Sequence, residues 1–161
     1  FSLYTIIYSY AYGKELTKKP IQQEATEWLI SHIPAKTKIG SASDPEITSC
    51  PTIIHQDYYY KEHAFYRVIN LNNNINALKQ EKPDYFTISK RDALYDLWKR
   101  PVFAADFVKE LEKNYTIVKK FERYPSFFNI SFKPNIFISD WEIPFPVIYV
   151  LKNNQSLVHG H

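Results

Sequence analysis

Apolar and aromatic residues recur at helical spacing between Pro20 and Ile33. Ile21, Ala25, Trp28, Leu29 and His32 share one face, and Gln22, Gln23, Glu24 and Glu27 lie outside it. Pro20 suits a first turn, where its missing N–H is no loss, and Pro34 ends the helix. A short strand is predicted at 38–42, with Gly40 small enough to lie under a crossing element. Residues 44–64 carry two prolines and the run Tyr58-Tyr59-Tyr60 and read as irregular. Strand composition returns at 66–70. Asn72 to Asn74 can then cap a short helix carrying Ile75, Ala77 and Leu78. Pro83-Asp84 breaks that helix ahead of a strand at 85–89. The strand–helix–strand order predicts parallel pairing of the flanking strands. A further helix at 104–114 turns Ala104, Phe107, Val108 and Leu111 inward. Strands at 115–121 and 146–151 follow, expected to be antiparallel neighbours joined by a long excursion at 122–145.

The opening FSLYTIIYSYAY has no charge in twelve residues, then gives way to Gly13-Lys14-Glu15. A bilayer span takes about 20 residues, so this stretch is too short to cross one. It has no basic leader region, which argues against a signal peptide. Its four tyrosines suit a membrane interface, where a ring is buried and its hydroxyl stays wet. An N-terminal element packed into the core explains them equally well. The start at Phe1, in a chain without methionine, is the start expected of a fragment or a processed product.

Length changes the picture little: 161 residues fit one domain that needs no disulfide or metal to hold it. The three glycines, Gly13, Gly40 and Gly160, are far apart. No dinucleotide fingerprint, P-loop or G-x-S-x-G elbow can therefore be written. A net charge of +3 does not imply nucleic acid, and a solvated surface accounts for Lys14, Lys18 and Lys19. Single Cys50 excludes an internal disulfide, and nothing beside it marks a nucleophile.

His55, Asp57 and His63 are the densest metal-capable group. Their spacing matches no zinc motif, and chance proximity explains them more simply. His159 and His161 sit in a terminal tail. Asp84 and Asp140 are the acids nearest expected strand ends, the usual ligand position in α/β domains. A turn or cap accounts for Asp84. Asp140 beside Trp141 could hold a sugar, the ring stacking and the carboxylate taking hydroxyls, although core packing of Trp141 is the simpler reading. The sequons at Asn114, Asn129 and Asn154 add weak evidence for a secretory route.

The order of several segments resembles one membrane-enzyme family. Glu24 to Pro34 (EATEWLISHIP), followed by the strand at Lys38-Ile39-Gly40, is similar to the A-x-x-W-I-x-x-N-I-P-x-G-x-x-I segment after the last membrane helix of bacterial GT-C glycosyltransferases, the dolichyl-phosphate-mannose mannosyltransferase-like proteins. PDYFTIS at 83–89, LEKNYTIVKKF at 111–121 and DWEIPFPVIYV at 140–150 resemble three further motifs of that family, in order. His32 stands where the family has Asn, and Thr37 where it has Gly.

The resemblance covers about residues 17–152; the order of strands and helices predicts a Rossmann-like layered α/β domain, a mixed, mainly parallel sheet of about five strands with helices packed on it. Residues 1–16 would be the juxtamembrane exit, 17–152 the extracytoplasmic domain and 153–161 a tail. Such enzymes move a sugar from a polyprenyl-phosphate carrier to an acceptor outside the membrane. Their essential acid lies between membrane helices, so no catalytic residue carries over. The domain would be a non-catalytic accessory to its parent transmembrane part, attached on the extracytoplasmic face. It would hold no cofactor or metal of its own, any divalent metal belonging to the parent, and would bind no nucleic acid. Tyr58, Tyr59, Asp140 and Trp141 are the candidates for acceptor or ligand contact. Two alternatives stay open: a stand-alone small-ligand enzyme or binding module, and an interaction domain of a membrane complex marked by a large exposed apolar patch.

Overall fold

The computed structural model describes residues 3–90, 101–128, 130–132 and 145–157. The uncharged opening forms helix α1 (Leu3–Leu16), which buries only Ala11 and Glu15. It is a surface helix lying against the domain. Helix α2 (Ile21–His32) begins after Pro20, whose carbonyl accepts from the N–H groups of Gln23 and Glu24. It buries Ile21, Ala25, Thr26 and Leu29. His32 does not join that face: it is exposed and stacks on Trp28 at 4.5 Å, with Nδ1 2.9 Å from the Trp28 carbonyl.

Strand β1 (Lys38–Ser41) is followed by a helix in the stretch expected to be irregular, α3 (Thr52–Tyr59), and then a 3-10 turn at Lys61–His63. Beta-branched and aromatic residues give α3 little intrinsic helix preference. Burial of Ile54 and Asp57 holds it instead. Then come β2 (Arg67–Asn70), α4 (Ile75–Glu81), β3 (Tyr85–Ser89), α5 (Pro101–Asn114), β4 (Tyr115–Phe121), the short β5 (Ser126–Phe127) and β6 (Ile130–Ser131), and β7 (Ile148–Asn153). Asn74 caps α4, its Oδ1 accepting from the Asn76 and Ala77 N–H groups.

Five strands form one mixed sheet in the order β2-β1-β3-β7-β4. Strand β1 is parallel to both β2 and β3, while β7 is antiparallel to both β3 and β4. The strands flanking α4 run parallel as expected, but β1 lies between them and they do not pair. The last two long strands are antiparallel neighbours. Strands β5 and β6 pair as a separate hairpin inside the expected excursion.

Side-chain alternation on the strands loads both faces. On one face Leu29 and Ile33 of the α2 side and Ile54 of α3 meet Ile39, Tyr66 and Val150. On the other, Leu78 of α4 and Phe107 and Leu111 of α5 meet Phe86, Tyr115 and Leu151. Each such side chain contributes roughly 1.5–3 kcal/mol by leaving water. A third cluster of Ile21, Ala25, Phe145 and Ile148, with Tyr12 against it, seats α1 beside α2.

Candidate functional site

After the adjacent parallel strands β1 and β3, the next described helices lie on opposite faces, α3 on one and α5 on the other. In α/β sheets, ligands are generally taken at the carboxyl ends of the strands, where such a divergence occurs. The residues gathered nearby are polar and small. Ser41 donates to the Ser43 carbonyl at 2.5 Å, and Asp44 follows at the turn into the loop. Asp44 Oδ1 accepts from Tyr58 Oη at 2.7 Å and from Asn70 Nδ2 at 2.6 Å. Asn70 Nδ2 also donates to Asn72 Oδ1 at 3.1 Å, and Asn70 Oδ1 accepts from the Asn72 N–H at 2.8 Å. Asn72 and Asn73 both have positive φ, 48° and 52°, a conformation that asparagine adopts more readily than most residues. Their loop is pinned to β1 by Leu71 N–H to Ser41 O and Asn73 N–H to Ala42 O, both 2.9 Å.

Tyr58 reaches this cluster from α3. Its hydrogen bond to the Asp44 carboxylate, followed by burial, raises its pKa above the usual phenol value. Tyr59 packs edge-on against Tyr58 at 4.9 Å and at a tilt against His55 at 4.8 Å, and is exposed. Lys61 lies over the Tyr58 ring. Beside it, a cavity of about 330 Å³ runs along the β2 edge, lined by Lys36, Asp57, Lys61, Tyr66 and Arg67. A second cavity, about 370 Å³, opens near the start of β4 between Lys79, Lys82, Glu110, Asn114 and Asn153. The Asp44 cluster offers hydrogen-bond donors and acceptors suited to holding a hydroxylated ligand.

Of the four residues proposed for ligand contact, Tyr58 and Tyr59 lie at this end of the sheet; Asp140 and Trp141 fall outside the described residues. Sequence reasoning missed Asp44 and Asn70. The one available signal was an Asp-Pro pair closing a strand of small residues. Asp84 lies at the opposite end, where its backbone N–H donates to Lys38 O at 3.0 Å and its carbonyl accepts from Asn153 N–H at 2.9 Å. His55 Nδ1 is 2.7 Å from the Pro45 carbonyl. Buried Asp57 accepts from the N–H groups of Phe65 at 2.9 Å and Tyr66 at 2.7 Å, and His63 is exposed. Among the described residues no group of three or more His, Cys, Asp or Glu is placed to hold a metal ion. Cys50 is buried beside Ile54. Ser31 Oγ and His32 Nδ1 are 2.8 Å apart, but both are exposed at the end of α2 and turned to its own carbonyls.

Comparison with protein-family models, with curated proteins and with solved structures returned no match for this chain.

Proposed function

We propose that this chain is the non-catalytic, extracytoplasmic α/β domain of a membrane glycosyltransferase that draws its sugar from a polyprenyl-phosphate carrier. The observation that carries the membrane-facing part is where the apolar surface lies. Leu3, Tyr4, Ile6, Tyr10 and Leu16 of α1, with Phe128 and Ile130 of the β5–β6 hairpin, make up seven of the thirteen large hydrophobic side chains exposed among the described residues. Rings join the two elements. Tyr10 meets Phe127 edge-on at 6.0 Å, and Tyr4 and Tyr8 meet Phe132 at 6.0 and 5.7 Å. Concentrating apolar surface on one side is what a domain seated on a membrane requires. The order of the four sequence motifs supplies the glycosyltransferase part.

In this reading the domain presents the Asp44–Tyr58–Asn70 cluster to an acceptor and performs no transfer itself. The sequence encoded before Phe1 tests it. About eight or more apolar segments of about 20 residues each, with an acid in the first outer loop, are expected. A start codon or cleavable leader directly upstream would sink it, as would sugar transfer by the purified chain alone.

The polar cluster at the carboxyl ends of β1 and β2 favours a second reading, a Rossmann-like small-ligand module with Asp44, Tyr58 and Asn70 as its hydrogen-bonding set. Thermal-shift screening with monosaccharides and nucleotides separates the two. A saturable shift abolished by Asp44→Ala would favour the module.

A further inference from the structure

We infer that α1 and the β5–β6 hairpin form one lipid-binding face that lies in the interfacial layer of an anionic bilayer. This rests on the membrane-facing part of the function proposed above, and not on sugar transfer. Three observations specify lipid as the partner.

The first is composition. Leu3 to Gly13 of α1 and residues 125–132 around the hairpin contain no charged residue. Four of the α1 residues are tyrosines, Tyr4, Tyr8, Tyr10 and Tyr12. A ring that is apolar in its body and polar at its tip is the side chain that settles at headgroup depth.

The second is shape. Phe128 stands at the hairpin tip, 86% exposed with a φ of 46°, and Ile130 follows at 65%. A protruding ring needs a fitted socket in a rigid protein partner. A fluid acyl layer takes it without one. Helix α1 runs for 14 described residues, about 21 Å at 1.5 Å per residue. No described helix is long and apolar enough to cross a membrane.

The third is charge. Where the uncharged stretch ends, Lys14 is exposed, while the one acid of α1, Glu15, is turned inward with its side chain 2% exposed and paired with Lys18 at 2.5 Å. The border of the face therefore shows the Lys14 ammonium to the solvent and hides its carboxylate in an ion pair, the complement of anionic headgroups.

Co-sedimentation of the purified chain with vesicles tests the inference. It is expected to bind vesicles containing phosphatidylglycerol more tightly than pure phosphatidylcholine vesicles. Salt is expected to weaken the binding. Phe128→Asp and Ile130→Asp, both at exposed positions, are each expected to weaken it about tenfold or more without moving the thermal midpoint. Three results would overturn it: no binding to either vesicle, binding indifferent to both substitutions, or lipid-free dimerisation that the substitutions abolish. Vesicle binding with no apolar segments encoded upstream would keep this inference and sink the transferase reading.

Discussion

Gly40 lets β1 pass beneath the Phe86 ring. A Cβ there would lie 2.6 Å from Phe86 Cδ2 and 2.7 Å from Pro83 Cγ, closer than real contacts allow. Both neighbours are fully buried and cannot swing away. Gly40→Ala should therefore destabilise the domain by about 1–3 kcal/mol in urea unfolding. Burial acts differently on Tyr66 and Tyr115. Each hydroxyl donates to a carbonyl, Ile33 O at 3.2 Å and Pro83 O at 2.9 Å. Desolvation pushes both phenols from 10.0 up to about 12; the Asp57 charge adds to this at Tyr66, and at Tyr115 the Asn153 hydrogen bond opposes it. The unfolded chain releases these protons near pH 10 and the folded one holds them to about 12, so the folded state binds more protons across that window. Their contribution is complete below about pH 10 and is lost as pH rises toward 12. Urea midpoints should fall across that window, and the double variant Tyr66→Phe with Tyr115→Phe should flatten the fall.

Among the elements, α1 is held by charge as well as by packing. Arg123, in the loop after β4, donates to the Lys19 carbonyl at 2.8 Å, pairs with Glu24 and places Nε 3.7 Å from Glu15 Oε2. Glu15 is buried and also takes Lys18 at 2.5 Å. Arg123→Ala leaves that carboxylate with Lys18 as its one cation and its Oε2 unpartnered, a change that should cost about 1–3 kcal/mol. Hydrogen exchange should then quicken throughout α1 while β1 and β3 stay protected; equal loss of protection in the sheet would show that Arg123 supports the whole fold instead. Legibility in sequence follows the same division between local and distant forces. Helix α2 could be read because Pro20 and Pro34 bracket it, and β3 because Pro83-Asp84 announces it. Helix α3 could not, because what fixes it is distant: Asp57 bonds Phe65 and Tyr66, and Ile54 packs on Ile39 and Tyr66. The Asp44 cluster was hidden for the same reason, its partners lying 14 and 26 residues away in sequence.

Over the whole molecule, the mixed sheet with helices was legible from the alternation of elements, but the strand order was not, since hydrophobic patterning does not say which strand lies beside which. The two sheet edges are β2 and β4. Strand β4 carries Lys119 and Lys120 and a register shift between Ile117 and Lys119, features that discourage further pairing. Pairing of β7 with β4 was expected from the sequence, but its pairing with β3 was not: the last described strand lies inside the sheet, bonded to β3 on one side and β4 on the other. A chain made from its N-terminus at about 5–20 residues per second therefore holds β2, β1 and β3 on one side and β4 on the other, with nothing between them, until Ile148–Asn153 leaves the ribosome. A chain ending at residue 144 should show no cooperative unfolding transition. Completion of this fold waits for Ile148–Asn153, and until that strand emerges the open edges of β3 and β4 are what a chaperone would have to cover.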